Sequence, residues 1–254
     1  MCVKQVPDTS KVTWSKDNNL VREGMISILN PYDEFAISCA LEIKKKFKNV
    51  VINVISMGPN QAKEVLEYAL ARGCDRAILL SDKKFAASDT LATGTILAAG
   101  IKKFIPDFDL ILCGQFAIDG DTAQTGATIS SILNVPLVSY VDKIVNADKN
   151  MAIVKQAYEA GDWISKVQNP SVVCVLGKET KKQLRVGNYV RAQDLGIETY
   201  GFSDLDLKPD EVGILGSPTY VKRAFRLEYN REKQEITENV AEFLCKLAKG
   251  EKNG

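Results

Sequence analysis

Residues 50–134 alternate short apolar runs with amphipathic segments, and this alternation restricts the fold more than any other feature of the chain. Three runs have the length and apolar character of strands buried on both faces: "VVINVISMG" (50–58), "RAILLSD" (76–82) and "DLILCG" (109–114). Three segments with apolar side chains at helical spacing follow them, at 60–73, 88–104 and 123–134. This order predicts an α/β fold, a Rossmann-like parallel sheet with helices on both faces.

The N-terminal segments extend the same plan. The stub "CVKQV" (2–6) predicts the first strand. The segment "NPYDEFAISCALEIKKKF" (30–47) predicts a helix, with Asn30 as a cap candidate and Pro31 in the first turn. In the helix predicted over 88–104, Ser88 or Asp89 is the N-cap candidate.

After residue 134 the pattern changes. Four β-rich runs predict antiparallel additions at one edge of the sheet, at 136–145, 151–160, 162–167 and 171–177. From residue 178 the chain is charged and irregular, and a last helix with one apolar face is predicted over 237–250. We predict a nucleotide-binding domain over residues 1–190 and a C-terminal arm over 191–254.

The composition excludes several kinds of chemistry. The chain has no histidine, which excludes Ser-His-Asp and Cys-His catalysis as well as histidine metal sites. Its six cysteines form no CxxC pair, so we expect no metal and a reducing, cytoplasmic compartment. The net charge of +1 does not favour nucleic acid, and no apolar run reaches the roughly 18 residues of a membrane span. We therefore expect a bound cofactor to supply the chemistry.

Polar segments follow each predicted strand, where parallel sheets bind their ligands. They are Val6–Thr9, Ser56–Pro59, Ser81–Thr95 and Gly114–Thr125. Their glycines, threonine hydroxyls and helix starts suit phosphate and ribose. Neither the GxGxxG fingerprint nor a P-loop is present.

Each segment also allows a simpler interpretation. Asp119 and Asp121 could build a turn and cap the next helix, form a metal pair, or act as an acid/base pair. Asn30 could be only a helix cap, and Met57 could be an ordinary core residue. The coincidence of four such segments at one predicted edge favours a nucleotide site.

Six segments, taken in order and at their spacing, resemble the beta subunit of electron transfer flavoproteins. They are "CVKQVPDT" (2–9), "LNPYDEFAI" (29–37), "SMGP" (56–59), "ALARGCDRAILLSD" (69–82), "SDTLATG" (88–94) and "DLILCGQFAIDGDTAQTG" (109–126). The resemblance covers most of residues 1–195. It implies a heterodimer in which an alpha subunit carries one FAD and is embraced by the C-terminal arm, while the beta subunit holds AMP or a second FAD.

The resemblance also implies the nucleotide-binding residues. They are Cys2, Asn30, Pro31, Tyr32, Asp33, Met57, Gly114, Gln115, Phe116, Ala117, Ile118, Asp119, Gly120, Asp121, Thr122, Ala123, Gln124 and Thr125. The segment "SDTLAT" is similar to that of the FAD-binding, electron-bifurcating group, in which Asp89, Thr90 and Thr93 would lie near the flavin and pyrophosphate. FAD is therefore expected, with AMP as the alternative.

For that group the resemblance implies a subunit of an oxidoreductase complex that is inactive alone. NADH would be the electron donor, and the acceptors would be ferredoxin and, through the alpha-subunit FAD, a dehydrogenase of acyl-CoA type. Val186 stands where the family carries its partner-docking leucine. The alternatives are an AMP-binding electron shuttle and, in another class, an ATP-binding regulatory module of the universal-stress type.

Overall fold

The computed structural model describes residues 1–8, 13–14, 20–21, 26–177, 184–220 and 239–248. The helices within these residues are α1 (Pro31–Lys46), α2 (Lys63–Arg72), α3 (Thr90–Phe104), α4 (Thr125–Leu133), α5 (Val186–Leu195) and α6 (Val240–Ala248). The strands are β1 (Gln5–Pro7), β2 (Thr13–Trp14), β3 (Leu20–Val21), β4 (Ser27–Leu29), β5 (Asn53–Met57), β6 (Arg76–Leu80), β7 (Leu110–Gly114), β8 (Leu137–Ala147), β9 (Met151–Tyr158), β10 (Gly161–Gln168), β11 (Ser171–Val175) and β12 (Glu198–Tyr200).

The start of the chain joins two groups of strands, of which the first is parallel and the second is mixed. One group has the order β12-β6-β5, and the other has the order β10-β9-β8-β11-β7. Cys2 lies between them, because it forms a parallel bridge with Ile55 and its N–H donates to the carbonyl oxygen of Leu112 at 2.9 Å. The predicted strand 2–6 is thus divided: residues 1–3 lie within the sheet, whereas β1 pairs with β4 in antiparallel fashion.

The β-rich segment after residue 134 differs in part from the prediction. As predicted, β8, β9 and β10 are antiparallel neighbours at one edge of the sheet. The prediction was wrong for β11, which lies between β7 and β8 and is parallel to both. All five residues of β11 are buried, so its uninterrupted apolar run reflects an interior strand.

Helices cover both faces of the sheet, as the alternation predicted. Residues of α1 and α2 form one apolar core with β5, β8 and β9. Residues of α3 and α4 form a second core on the other face, with β6, β7 and β11. The starts of α1, α3 and α4 therefore come to the edge where the parallel strands end, which is where the candidate site lies.

The segment after residue 183 is more regular than its sequence indicates. The stretch predicted to be irregular contains α5, which packs on α2: Ala192 is buried, and Arg191 donates to the carbonyl oxygen of Leu70 at 2.9 Å. The local pattern did not predict this helix because its contacts with α2 are distant in sequence. Beyond it, β12 pairs with β6, and Leu205 and Val212 are buried in the core of the α3 face.

The last described helix lies within the predicted segment 237–250, whose residues 237, 238, 249 and 250 lie outside the described residues. It spans Val240–Ala248, and the side chains of Val240 and Leu244 are both 57% exposed. No helix among the described residues is long and apolar enough to cross a membrane.

Candidate functional site

A polar cleft of about 310 Å³ opens at the carboxyl ends of the parallel strands. Its walls are the start of the chain, the starts of α1 and α3, the end of β5 and the loop from β7 to α4. The predicted residues that line it are Cys2, Asn30, Asp33, Met57, Asp89, Thr90, Thr93, Gly114, Gln115, Phe116, Ala117, Gly120, Asp121, Thr122, Ala123, Gln124 and Thr125. Segments that are far apart in sequence are thus brought to one concave surface.

Some residues differ between the predicted and the observed lining. Pro31, Tyr32, Ile118 and Asp119 do not line the cleft. Val3, Lys4, Leu97, Cys113 and Gly126 line it without having been predicted, and Ser88 lines it from within the candidate segment Ser81–Thr95. Lys4 had a visible signal, since it is the one charged residue of the stub 2–6, which was predicted to lead to the ligand-binding edge.

Asn30 holds the loop that forms one wall of the cleft. It occupies the N-cap position of α1, as predicted, but its side chain makes no capping hydrogen bond there. Its Nδ2 donates to the carbonyl oxygen of Phe116 at 2.8 Å, and its Oδ1 accepts from the N–H of Ile118 at 3.4 Å. The side chain is drawn to the loop because the loop passes directly over the start of α1.

Asp33 is a buried carboxylate beneath the same loop. It accepts from the N–H of Lys4 at 2.8 Å and from the N–H of Gly114 at 3.1 Å. Gly114 is required here, because a Cβ would lie 2.3 Å from the Asp33 Oδ1. Burial raises the pKa of Asp33 to about 7, although these hydrogen bonds favour the ionised form.

Asp119 and Asp121 have different positions in the loop. Asp119 forms an ion pair with Lys4 at 2.7 Å, which fastens the loop from outside the cleft. Asp121 lines the cleft at a φ of +50°. Neither caps α4, whose N-cap residue is Gln124, so the cap interpretation of this pair was wrong.

The start of α4 is open toward the cleft. No side chain makes a capping hydrogen bond there, and the first N–H groups of a helix have no partner within it. Ala123, at a φ of +57°, precedes Gln124 in the right-handed helical region. A residue in the left-handed region next to one in the right-handed region is typical of backbone anion sites. The positive end of the helix dipole adds to the attraction for an anion. The donors present therefore fit a phosphate group.

The start of α3 is closed. The Oδ1 of Asp89 accepts from the N–H groups of Leu91 and Ala92, each at 3.0 Å, as the cap prediction required. Its Oδ2 accepts from Thr219. The carboxylate predicted to lie near a pyrophosphate is therefore engaged by the protein, and the groups that this helix offers to the cleft are Thr90 and Thr93.

Two other features lie apart from the cleft. Val186 is the first residue of α5, is 80% exposed and does not line the cleft. A larger cavity of about 580 Å³ opens near the amino ends of β5 and β7. Because open parallel sheets bind their ligands beyond the carboxyl ends of the strands, we place the candidate site in the smaller cleft.

Comparison with known proteins gives consistent results. A family model described as "Electron transfer flavoprotein domain" matches residues 17–182. The caffeyl-CoA reductase-Etf complex subunit CarD of Acetobacterium woodii is 43% identical over 227 residues, which are 89% of this chain and 86% of that protein. The electron transfer flavoprotein subunit beta of Clostridium acetobutylicum is 38% identical over 249 residues, 95% of this chain and 93% of that protein. Protein FixA of Azotobacter vinelandii is 36% identical over 248 residues, 94% of this chain and 87% of that protein.

These matches extend over most of the chain and agree with one another. They do not favour the ATP-binding regulatory module of the universal-stress type, which shares only the parallel-sheet plan. The family and the fold both agree with the resemblance found in the sequence. The chain belongs to the electron transfer flavoprotein family, as a beta subunit that implies an alpha-subunit partner.

Proposed function

We propose that this beta subunit binds FAD in the cleft at the carboxyl edge of its sheet. In the assembled complex, electrons would come from NADH and pass to ferredoxin and, through the alpha-subunit FAD, to a dehydrogenase or reductase of acyl-CoA type. FAD supplies the one- and two-electron chemistry when it is bound. The observation that carries the proposal is the pairing of an open helix start on α4 with the threonine-bearing wall of α3 across one cleft.

The residues of the chain would hold the two halves of FAD on different walls. The adenosine phosphate half would lie against residues 114–125, where the open start of α4 attracts a phosphate group. The second half would extend along α3, where Thr90 and Thr93 offer hydroxyl donors. Asn30 and Asp33 would hold the loop in place and would do so without transferring protons.

The name of one relative supports the class of partner. The protein of Acetobacterium woodii is a subunit of a caffeyl-CoA reductase-Etf complex. Val186, Tyr189 and Val190 occupy adjacent positions on one side of α5 and are exposed. We propose that this surface docks the dehydrogenase.

The six cysteines are free thiols, which supports a reducing, cytoplasmic compartment.

Nucleotide content tests the proposal directly. The purified complex of alpha and beta subunits should release two FAD per heterodimer on acid extraction, as measured by chromatography. One FAD and one AMP would overturn it in favour of the second candidate, the AMP-binding electron shuttle.

NADH should reduce ferredoxin only when the acyl-CoA acceptor is present, and reduction without the acceptor would contradict bifurcation.

The C-terminal arm gives a second test of the heterodimer. Val240 and Leu244 are exposed on α6, and we propose that the alpha subunit covers them. Deletion of residues 237–254 should weaken association of the two subunits on size-exclusion chromatography. Undiminished association of the shortened chain would contradict this part of the proposal.

A further inference from the structure

Residues 213–219, here named the tail strap, are bound to the start of α3. The N–H of Gly213 donates to the Oγ of Ser88 at 3.1 Å, and the N–H of Asp89 donates to the Oγ of Ser217 at 2.8 Å. The N–H and Oγ1 of Thr219 both donate to the Oδ2 of Asp89, at 3.0 and 2.7 Å. The four hydrogen bonds join residues 125 to 130 positions apart, so tertiary folding alone creates them.

The strap is fixed to the body of the protein at its own start. Val212, which precedes it, is buried in the core of the α3 face. Gly213 has a φ of +59°, and a Cβ there would lie 2.2 Å from the carbonyl oxygen of Lys84. The Oγ of Ser217 donates to the carbonyl oxygen of Gly213 at 2.6 Å, which closes the turn. The strap therefore has a defined position from which to hold Asp89.

Asp89 uses its two carboxylate oxygens for different tasks. Its Oδ1 caps α3, while its Oδ2 binds the strap. Thr90 is the residue directly after Asp89. By fixing Asp89, the strap therefore fixes the position of the first turn of α3 relative to the cleft. The Oγ1 of Thr90 donates to the Oε1 of Gln124 at 2.8 Å, so this position also governs the spacing of α3 from α4.

We propose that the tail strap determines specificity: by holding Asp89 it places Thr90 and Thr93 for the second half of a dinucleotide, and so it favours FAD over AMP. The inference rests on the proposed function, in which the adenosine phosphate half lies against residues 114–125. None of the strap residues lines the cleft. Ser217 and Thr219 are thus positioning residues that act through Asp89.

Asp89→Asn tests the proposal without removing the cap of α3. Asparagine is as good an N-cap as aspartate, but its Nδ2 presents a donor to the N–H of Thr219 in place of an acceptor. In titrations of the full-length chain, with and without its alpha subunit, the variant should bind FAD roughly tenfold more weakly. Its affinity for AMP should stay within about twofold of the wild type.

Asp82→Asn is the matched control. Asp82 has the same arrangement, because its Oδ1 accepts from the N–H of Lys84 at 2.9 Å and its Oδ2 accepts from the N–H of Phe202 at 3.0 Å. It does not line the cleft. The control should lower the Tm by a similar amount and leave the ratio of FAD to AMP affinity unchanged, which separates specificity from a general loss of stability.

A double variant repeats the test with Asp89 intact. Ser217→Ala/Thr219→Val removes both strap hydroxyls and should shift the affinity ratio in the same direction. Equal loss of FAD and AMP binding in the two strap variants, or unchanged FAD binding in both, would overturn the inference. A wild-type chain that binds neither nucleotide, or only AMP, would overturn the proposed function itself and with it this inference.

Discussion

Helices α3 and α4 both begin at the cleft, but their first turns are occupied differently. At α3 the side chain of Asp89 takes the N–H groups of Leu91 and Ala92, and the tail strap holds Asp89 in turn. At α4 no side chain makes a capping bond at Gln124. A helix start without a cap costs stability unless another group satisfies it. The difference supports the proposal that the start of α4 binds a phosphate group, whereas the start of α3 is already capped by the protein.

Each wall contains a carboxylate with a shifted pKa, and the two pKa values are shifted in opposite directions. Burial raises the pKa of Asp33, beneath the loop that leads to α4, to about 7. At Asp89 burial also acts to raise the pKa, but the hydrogen bonds from Thr219, Ala92 and Leu91 outweigh it and lower the pKa. Asp89 therefore stabilises the fold above its usual pKa of about 4, and this contribution is lost as the pH falls.

The largest expected effect comes from Asp33. Between pH 4 and 7 the folded chain retains a proton on Asp33 that the unfolded chain has released, so the free energy of unfolding should fall as the pH rises. The decrease attributable to this group is at most about 4 kcal/mol. Urea unfolding from pH 5 to 7.5 should show it, and Asp33→Asn should flatten the profile. An unchanged slope in the variant would contradict the burial argument.

Gly126→Ala should disrupt the packing of α4 against the sheet. A Cβ at this position would lie 2.3 Å from the Sγ of Cys174, and overpacking of this kind costs about 2 kcal/mol. Thermal unfolding should show the loss, and Cys174→Ala in the same chain should restore much of it. Gly120→Ala is the control, because a Cβ there has no neighbour within 4 Å. Equal losses at the two glycines would argue against the packing explanation.

Asp89→Ala should destabilise the start of α3. It removes the cap of α3 and the acceptor of Thr219 together, and the cap alone contributes about 1 kcal/mol. Denaturant unfolding should show this loss, and Asp89→Asn should retain more stability than Asp89→Ala. If the two variants are equally unstable, the cap is not the source of the effect.

Gln124→Ser is the change with the smallest expected effect on stability. A serine at residue 124 can cap α4 once its backbone becomes extended, but the change also removes the Oε1 that accepts from Thr90, so the stability of the nucleotide-free chain should rise by at most about 0.5 kcal/mol. The same change should weaken nucleotide binding, because the added cap competes for the donors that a phosphate group would use. A variant that gains both stability and affinity would show that α4 is not the anion site.

Local pattern predicted much of the fold, and the misses have a common cause. The helices α2, α3 and α4 and the strands β5, β6 and β7 follow from periodicity, which adjacent side chains set. The parallel direction of β11 and the existence of α5 do not, because they depend on partners distant in the chain. In the same way, the local sequence predicted that Asn30 caps α1, but its side chain binds the loop that folding brings over it.

The sequence by itself determined the α/β class, the family and the set of segments that meet at the carboxyl edge. These depend on residue types at fixed spacing. Only the tertiary structure decided which helix start is capped and which is not, and that Asp89, which lines the cleft, is also held by the tail strap. The physical reason is that an N–H group or a carboxylate is satisfied by whichever partner the fold brings within about 3 Å, and this partner can lie anywhere in the chain.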